Sequence, residues 1–111
     1  MREVGRLDGL RILELGCGDG PFARSCVEAG CASYVGIDGA SAMLKRAVAN
    51  ASDCCHFEVA NIKDFEMTEG GLDMVVSRMG LHYVRDLSPV LARVHRALVK
   101  QGRFIFSVVH P

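Results

Sequence analysis

The sequence predicts a doubly wound α/β domain, a mostly parallel sheet of about five strands with helices on both faces. Three observations predict it. Short apolar runs alternate with segments of helical period. A glycine cluster, Gly16, Gly18 and Gly20, follows the first apolar run. An acidic residue, Asp38, closes the second run 22 residues beyond Gly16. The alternation indicates strand–helix–strand units. Glycines directly after a strand put a tight turn at the carboxyl edge of the sheet, where such sheets take their ligands.

Each element has its own signal. Arg11–Leu15 is a short apolar run ending on glycines, hence a buried strand. Pro21 suits the first turn of a helix, where its missing N–H costs nothing, and that helix should run to about Ala29 with Gly30 ending it. Tyr34–Asp38 is the second strand. Ser41 can cap the next helix, on which Met43, Leu44, Ala47 and Val48 form one apolar stripe. Cys55, Phe57 and Val59 alternate with His56, Glu58 and Ala60, which predicts a third strand with His56 facing outward. Gly70-Gly71 marks a turn before a fourth strand, Asp73–Ser77. Ser88-Pro89 starts a third helix with Leu91, Val94, His95 and Leu98 on its inner stripe, which makes His95 structural. Lys100-Gln101-Gly102 should end that helix, and Arg103–Val109 is the fifth strand.

Composition bounds the function. The 111 residues suit a single domain, and half of them are hydrophobic, enough for a core. Thirteen basic residues balance thirteen acidic ones, so no electrostatic footprint for nucleic acid or an anionic membrane is expected. No apolar run approaches a membrane span, and no signal-peptide core follows Met1. A cytoplasmic location is the expectation. Cys17, Cys26, Cys31, Cys54 and Cys55 form neither a C-x-x-C pair nor a zinc-finger spacing, so reduced thiols and no metal are expected.

The chemistry centres on Glu14-Leu15-Gly16-Cys17-Gly18-Asp19-Gly20. Glycines remove Cβ atoms where the backbone bends and a ligand approaches. Asp38 can accept two hydrogen bonds from ribose hydroxyls, which points to an adenosine-containing cofactor. A dinucleotide fingerprint would need a third glycine at position 21, which is Pro21, and Asp19 is a poor neighbour for a diphosphate. S-adenosylmethionine has no phosphate, and its amino group can meet carboxylates. The acid-bearing loop suits it better.

At these residues the chain resembles the class I S-adenosylmethionine-dependent methyltransferases, which have a Rossmann-like fold of the methyltransferase type 11/12 kind. Glu14-x-Gly16-Cys17-Gly18-x-Gly20 is similar to their first motif. Gly36–Leu44 resembles the next segment, Asp73–Ser77 with Leu81–Val84 the fourth strand and its turn, and Leu98–Phe104 the run before the fifth strand. The resemblance covers residues from about 10 to the end and implies a set of roles. Glu14, Gly16 and Gly18 would line the methionine end of the cofactor, with Cys17 exposing backbone in the same loop. Asp38 would bind the ribose, Gly39 would let the adenine lie close, and Met43 would pack beside them. Asn61 and Ile62 stand where the family often has an acid and an apolar residue around the adenine. Asn61 departs from that pattern, although its side-chain oxygen can still accept a bond. Ser77 and Arg78 would lie near the transferred methyl, and His82 would be the general base for a hydroxyl acceptor.

The implied function is methyl transfer from S-adenosylmethionine to a small molecule, leaving S-adenosylhomocysteine. Ser77-Arg78-Met79-Gly80-Leu81 lacks the N-P-P-Y/F motif of amino-methylating relatives, which weakens a base or amide target. The alternatives are a cofactor-binding module without catalysis and a nicotinamide-dependent oxidoreductase. The family's sheet usually has two further strands beside the fifth. On the sequence given, the fifth strand would be an exposed apolar edge, so pairing into a homodimer is expected.

Overall fold

The computed structural model describes residues 6–17, 20–39, 41–49, 53–61, 65, 70–78 and 88–107. The elements run β1 (Arg11–Leu15), α1 (Pro21–Glu28), β2 (Ser33–Asp38), α2 (Ser41–Ala49), β3 (Cys55–Val59), β4 (Leu72–Arg78), α3 (Ser88–Ala97) and β5 (Leu98–Ser107). All five strands join one sheet in the order β3-β2-β1-β4-β5, and every pairing is parallel. The chain winds outward from β1 to β3, then crosses back to the other side of β1. The order therefore reverses between β1 and β4. Leu15 stands opposite Ile37 of β2 and Ser77 of β4, so the carboxyl ends of the three central strands are level.

Side-chain alternation splits the core into two layers. On one face Ile12, Tyr34, Met74 and Val76 pack with Phe22, Ala23 and Cys26 of α1. On the other Leu13, Leu15, Ile37 and Val75 pack with Val90 and Val94 of α3. Helix α2 lies on the α1 side. A Cβ on Gly20 would stand 3.2 Å from the Cβ of Ala47 and 3.6 Å from the ring of Phe57, which belongs to that layer. Helices thus cover both faces, as the alternation of elements requires.

Local signals explain the helix ends. Pro21 opens α1, and Gly20 before it takes a left-handed φ of 91°. Gly30, with φ 83°, turns the chain out of α1 and hydrogen-bonds back to Val27 O. At the amino edge of the sheet, Arg11 and Asp73 tie β1 to β4 through a two-pronged ion pair, with Nε–Oδ2 3.0 Å and Nη2–Oδ1 3.3 Å. Arg93 of α3 donates to the carbonyl of Phe65 at 2.8 Å, holding the β3–β4 connection against that helix.

Several expectations are corrected. The inner stripe of α3 is Val90, Val94 and Ala97; Leu91 and His95 are exposed, so His95 is not a core-facing residue. Helix α3 stops at Ala97, and Leu98 already pairs with Leu72 in β5, so Lys100-Gln101-Gly102 lie inside the strand and not at the helix end. The register then shifts, with Met74 opposite Arg103. In that irregular stretch a Cβ on Gly102 would come within 2.9 Å of the Leu98 side chain, so the glycine serves a bulge and not a helix cap. Val48 and Val59 are exposed as well. Outer positions of an edge strand and its helix lack a neighbour to bury them. All five cysteines are free thiols. Among the described residues no helix is long and apolar enough to cross a membrane.

Candidate cofactor site

The loop after β1 begins with Gly16 at φ 77°, a conformation only glycine takes without strain. The amides of Gly16 and Cys17 both donate to the carbonyl of Ile37, at 2.8 and 3.0 Å. The Cys17 carbonyl accepts from Gly20 at 3.2 Å, and the whole residue is buried. The loop is thereby locked to β2, and the Cys17 backbone expected to be exposed is engaged within the fold.

Two acidic residues flank this loop. Glu14 is the penultimate residue of β1, pairs with Gly36, and is 1% exposed. Asp38 ends β2, two residues beyond Gly36 and therefore on the same face. Both carboxylates act on the Cys17 thiol. Burial first, then Glu14, then Asp38, push it up to about 12 from an ordinary 9.0. The thiol stays neutral.

A buried carboxylate needs hydrogen-bond donors. The Tyr34 hydroxyl supplies one to Oε1 of Glu14. Tyr34 is itself buried, with Phe22 edge-on at 6.4 Å and Phe57 tilted at 5.6 Å. Burial, and then Glu14, drive its hydroxyl far above the usual range, so it remains a donor at every working pH. Its path crosses Gly36. A Cβ there would stand 2.7 Å from the Tyr34 oxygen and 2.9 Å from the Cβ of Cys17.

The remaining candidates are distributed unevenly. A Cβ on Gly39 would meet nothing within 4 Å among the described residues. Asn61 is exposed just beyond β3, where Phe65 N bonds to its carbonyl at 3.0 Å. Ser77 lies on the opposite face from Glu14, beside Leu15, and its buried Oγ has no hydrogen-bond partner among the described residues. Met43 is in α2, with its side chain outside the described part, as is that of Arg78. Gly18, Asp19, Ile62 and His82 lie outside the described residues. The structure thus brings together Glu14, Gly16, Cys17 and Asp38 around the end of β1. Tyr34 and Gly36 escaped the sequence reading, which took them as strand residues. The signal was their spacing: residues two apart on a strand share a face, and a tyrosine can lie over a position with no Cβ.

A parallel sheet of this order, with a glycine turn after β1 beside its reversal point and carboxylates at the ends of β1 and β2, defines a cofactor-binding α/β domain of the doubly wound class. Over residues 12–102 the sequence matches the family model described as a methyltransferase domain. The chain belongs to that family, the S-adenosylmethionine-dependent methyltransferase domains. It is similar to an S-adenosylmethionine dependent methyltransferase from Mesorhizobium loti, with 36% identity, a TM-score of 0.93, and 99% of this chain and 51% of that one covered. A malonyl-[acyl-carrier protein] O-methyltransferase of Erwinia billingiae is 27% identical, covering 94% of this chain and 41% of the relative. An arsenite methyltransferase of Aquipseudomonas alcaligenes is 29% identical, covering 94% and 34%. The chain spans about half the length of the solved relative and less than half of these two curated ones. S-adenosylmethionine is the cofactor of the family, which sets the nicotinamide alternative aside.

The residues present fit that cofactor. Two carboxylates on one face suit a molecule with an ammonium, a sulfonium and two ribose hydroxyls. The same charges would repel a diphosphate.

Proposed function

We propose that this chain holds S-adenosylmethionine at the carboxyl edge of β1 and β2, and that the whole protein passes its methyl group to a small-molecule acceptor. One observation carries the reading: Glu14 and Asp38 stand on one face of the sheet at the carboxyl ends of β1 and β2, on either side of the glycine turn. Asp38 takes the ribose hydroxyls and Glu14 the ammonium group. Gly16 shapes the turn, and Cys17 fills the space beneath it. Gly18 belongs to the same loop, Gly39 leaves room for the adenine, Met43, Asn61 and Ile62 border it, and Ser77 stands near the reacting end.

The sulfonium supplies an already activated methyl group, so the protein's task is alignment of donor and acceptor. His82 is the proposed base where the acceptor is a hydroxyl. The acceptors named for the curated relatives, a malonyl-[acyl-carrier protein] and arsenite, share no chemistry that would fix the acceptor here. A cytoplasmic location and a homodimer paired through β5 complete the proposal. Sedimentation at rising concentration checks the dimer, and a single monomeric species removes it.

A second reading, a cofactor-binding unit that does not itself turn over, draws on the chain's coverage of about half the solved relative. Calorimetric titration with S-adenosylmethionine separates the levels. Wild-type binding that Asp38→Ala weakens by about a hundredfold or more supports the site, from two lost hydrogen bonds to a charged group. Unchanged affinity in Asp38→Ala removes it. Methyl transfer to a panel of small acceptors then distinguishes enzyme from binding unit.

A further inference from the structure

Glu14 is a charged-type side chain in the buried core. It is a carboxylate 1% exposed, set into the apolar layer between sheet and α1. Its β1 neighbours on that face are apolar, and Gly36 opposite it has no side chain. Oε1 is held by a residue of another strand, Tyr34, which begins 20 residues downstream and reaches back over Gly36. Two aromatic rings, Phe22 and Phe57, pack against the buried tyrosine.

We propose that Tyr34 is a positioning residue of the cofactor site: its hydroxyl sets the orientation of the Glu14 carboxylate, and recognition of the cofactor's ammonium group depends on that orientation. The proposal rests on the cofactor reading above. Its logic is electrostatic preorganisation. A hydrogen bond to a carboxylate favours the charged form, and a charged, fixed carboxylate beside the loop meets an ammonium without paying to reorient. Tyr34 touches no part of the ligand. It acts through Glu14.

The test uses calorimetry on the wild-type chain, Tyr34→Phe, Glu14→Gln and the double variant, each checked for folding by circular dichroism. Two probes are titrated: S-adenosylmethionine, and 5′-methylthioadenosine, which keeps the nucleoside but has no amino-acid group. Tyr34→Phe should bind S-adenosylmethionine about tenfold more weakly and methylthioadenosine as the wild type does. The double variant should bind S-adenosylmethionine no more weakly than Glu14→Gln alone, because the charge whose orientation Tyr34 sets is already gone. That comparison stands even if Tyr34→Phe alone fails to fold, since the double variant removes the buried charge with its donor. A folded Tyr34→Phe with wild-type affinity overturns the proposal while leaving the cofactor site intact. So does equal weakening toward both probes, or a further loss in the double variant. A wild-type chain that binds no S-adenosylmethionine removes the cofactor reading and this proposal with it.

Discussion

Gly36 shows what one missing Cβ can do. It lets a tyrosine on β2 reach a carboxylate on β1, and it lets Cys17 close over the strand. Gly36→Ala should therefore destabilise by about 1–3 kcal/mol, the usual effect of overpacking a filled site, read as a lower urea midpoint at unchanged slope. Ser77 is the opposite case. Its buried hydroxyl lacks a partner within the described fold, so Ser77→Ala should stabilise the ligand-free chain by about 1 kcal/mol in the same assay. A loss of stability would mean that the hydroxyl has a partner after all. The positions of the glycine turn and of the acid ending β2 were readable at this scale. Glycines after a strand and an acid ending the next strand have mechanical and chemical reasons visible in the letters alone. Tyr34 was not readable as a polar residue of the site, because its role depends on which strand lies beside β2, and sequence does not state neighbours.

At the scale of elements, helices with sharp ends were the easiest to read. Pro21 and Gly30 bracket α1 because one lacks an N–H and the other tolerates a left-handed turn. Gly30→Ala should cost about 1 kcal/mol in thermal or urea unfolding. The third helix was harder. Val90, Leu91, Val94 and Ala97 permit two apolar stripes one residue apart in phase, and the packing of α3 on Leu13, Leu15 and Val75 selects the stripe of Val90, Val94 and Ala97. Val94→Ala should accordingly destabilise by about 1–2 kcal/mol while Leu91→Ala changes little, a contrast that the reverse phase would invert. The start of β5 was hidden for a different reason. Leu98 and Val99 extend an apolar helical pattern, but pairing with Leu72 captures Leu98 for the sheet, and the register shifts before Arg103 pairs with Met74.

The whole molecule separates two tasks between the two ends of one parallel sheet. The carboxyl edge carries the acidic loop, and the amino edge carries the Arg11–Asp73 clasp. Each end predicts a limit of pH stability. Asp73 is held below its ordinary 3.8 by the hydrogen bonds from Arg11. Its contribution is complete above about pH 4 and is lost as pH falls through the lowered value. Asp73→Asn should therefore reduce stability at pH 7 and flatten its acid dependence below pH 4. At the other limit, burial raises the Cys17 and Cys26 thiols to about 12 from 9.0. They are neutral when folded and ionise more readily when unfolded, so stability is full below about pH 9 and declines as pH rises toward 12. A melting series from pH 8 to 11 should show this decline, and Cys17→Ala should lessen it. For the same reason both thiols should resist alkylation at pH 8 until the chain unfolds.

The contact of Cys17, Tyr34 and Gly36 also restricts which substitutions the chain can accept. A larger residue at 36 would strike both the tyrosine oxygen and the Cβ of Cys17, so the glycine cannot be replaced alone without displacing its two neighbours. Lineages that descend from this arrangement should therefore keep or lose the three positions as a set. Where position 36 has gained a side chain, position 34 should have given up its hydroxyl and position 17 its bulk, and the buried acid at 14 should have found another donor or gone with them.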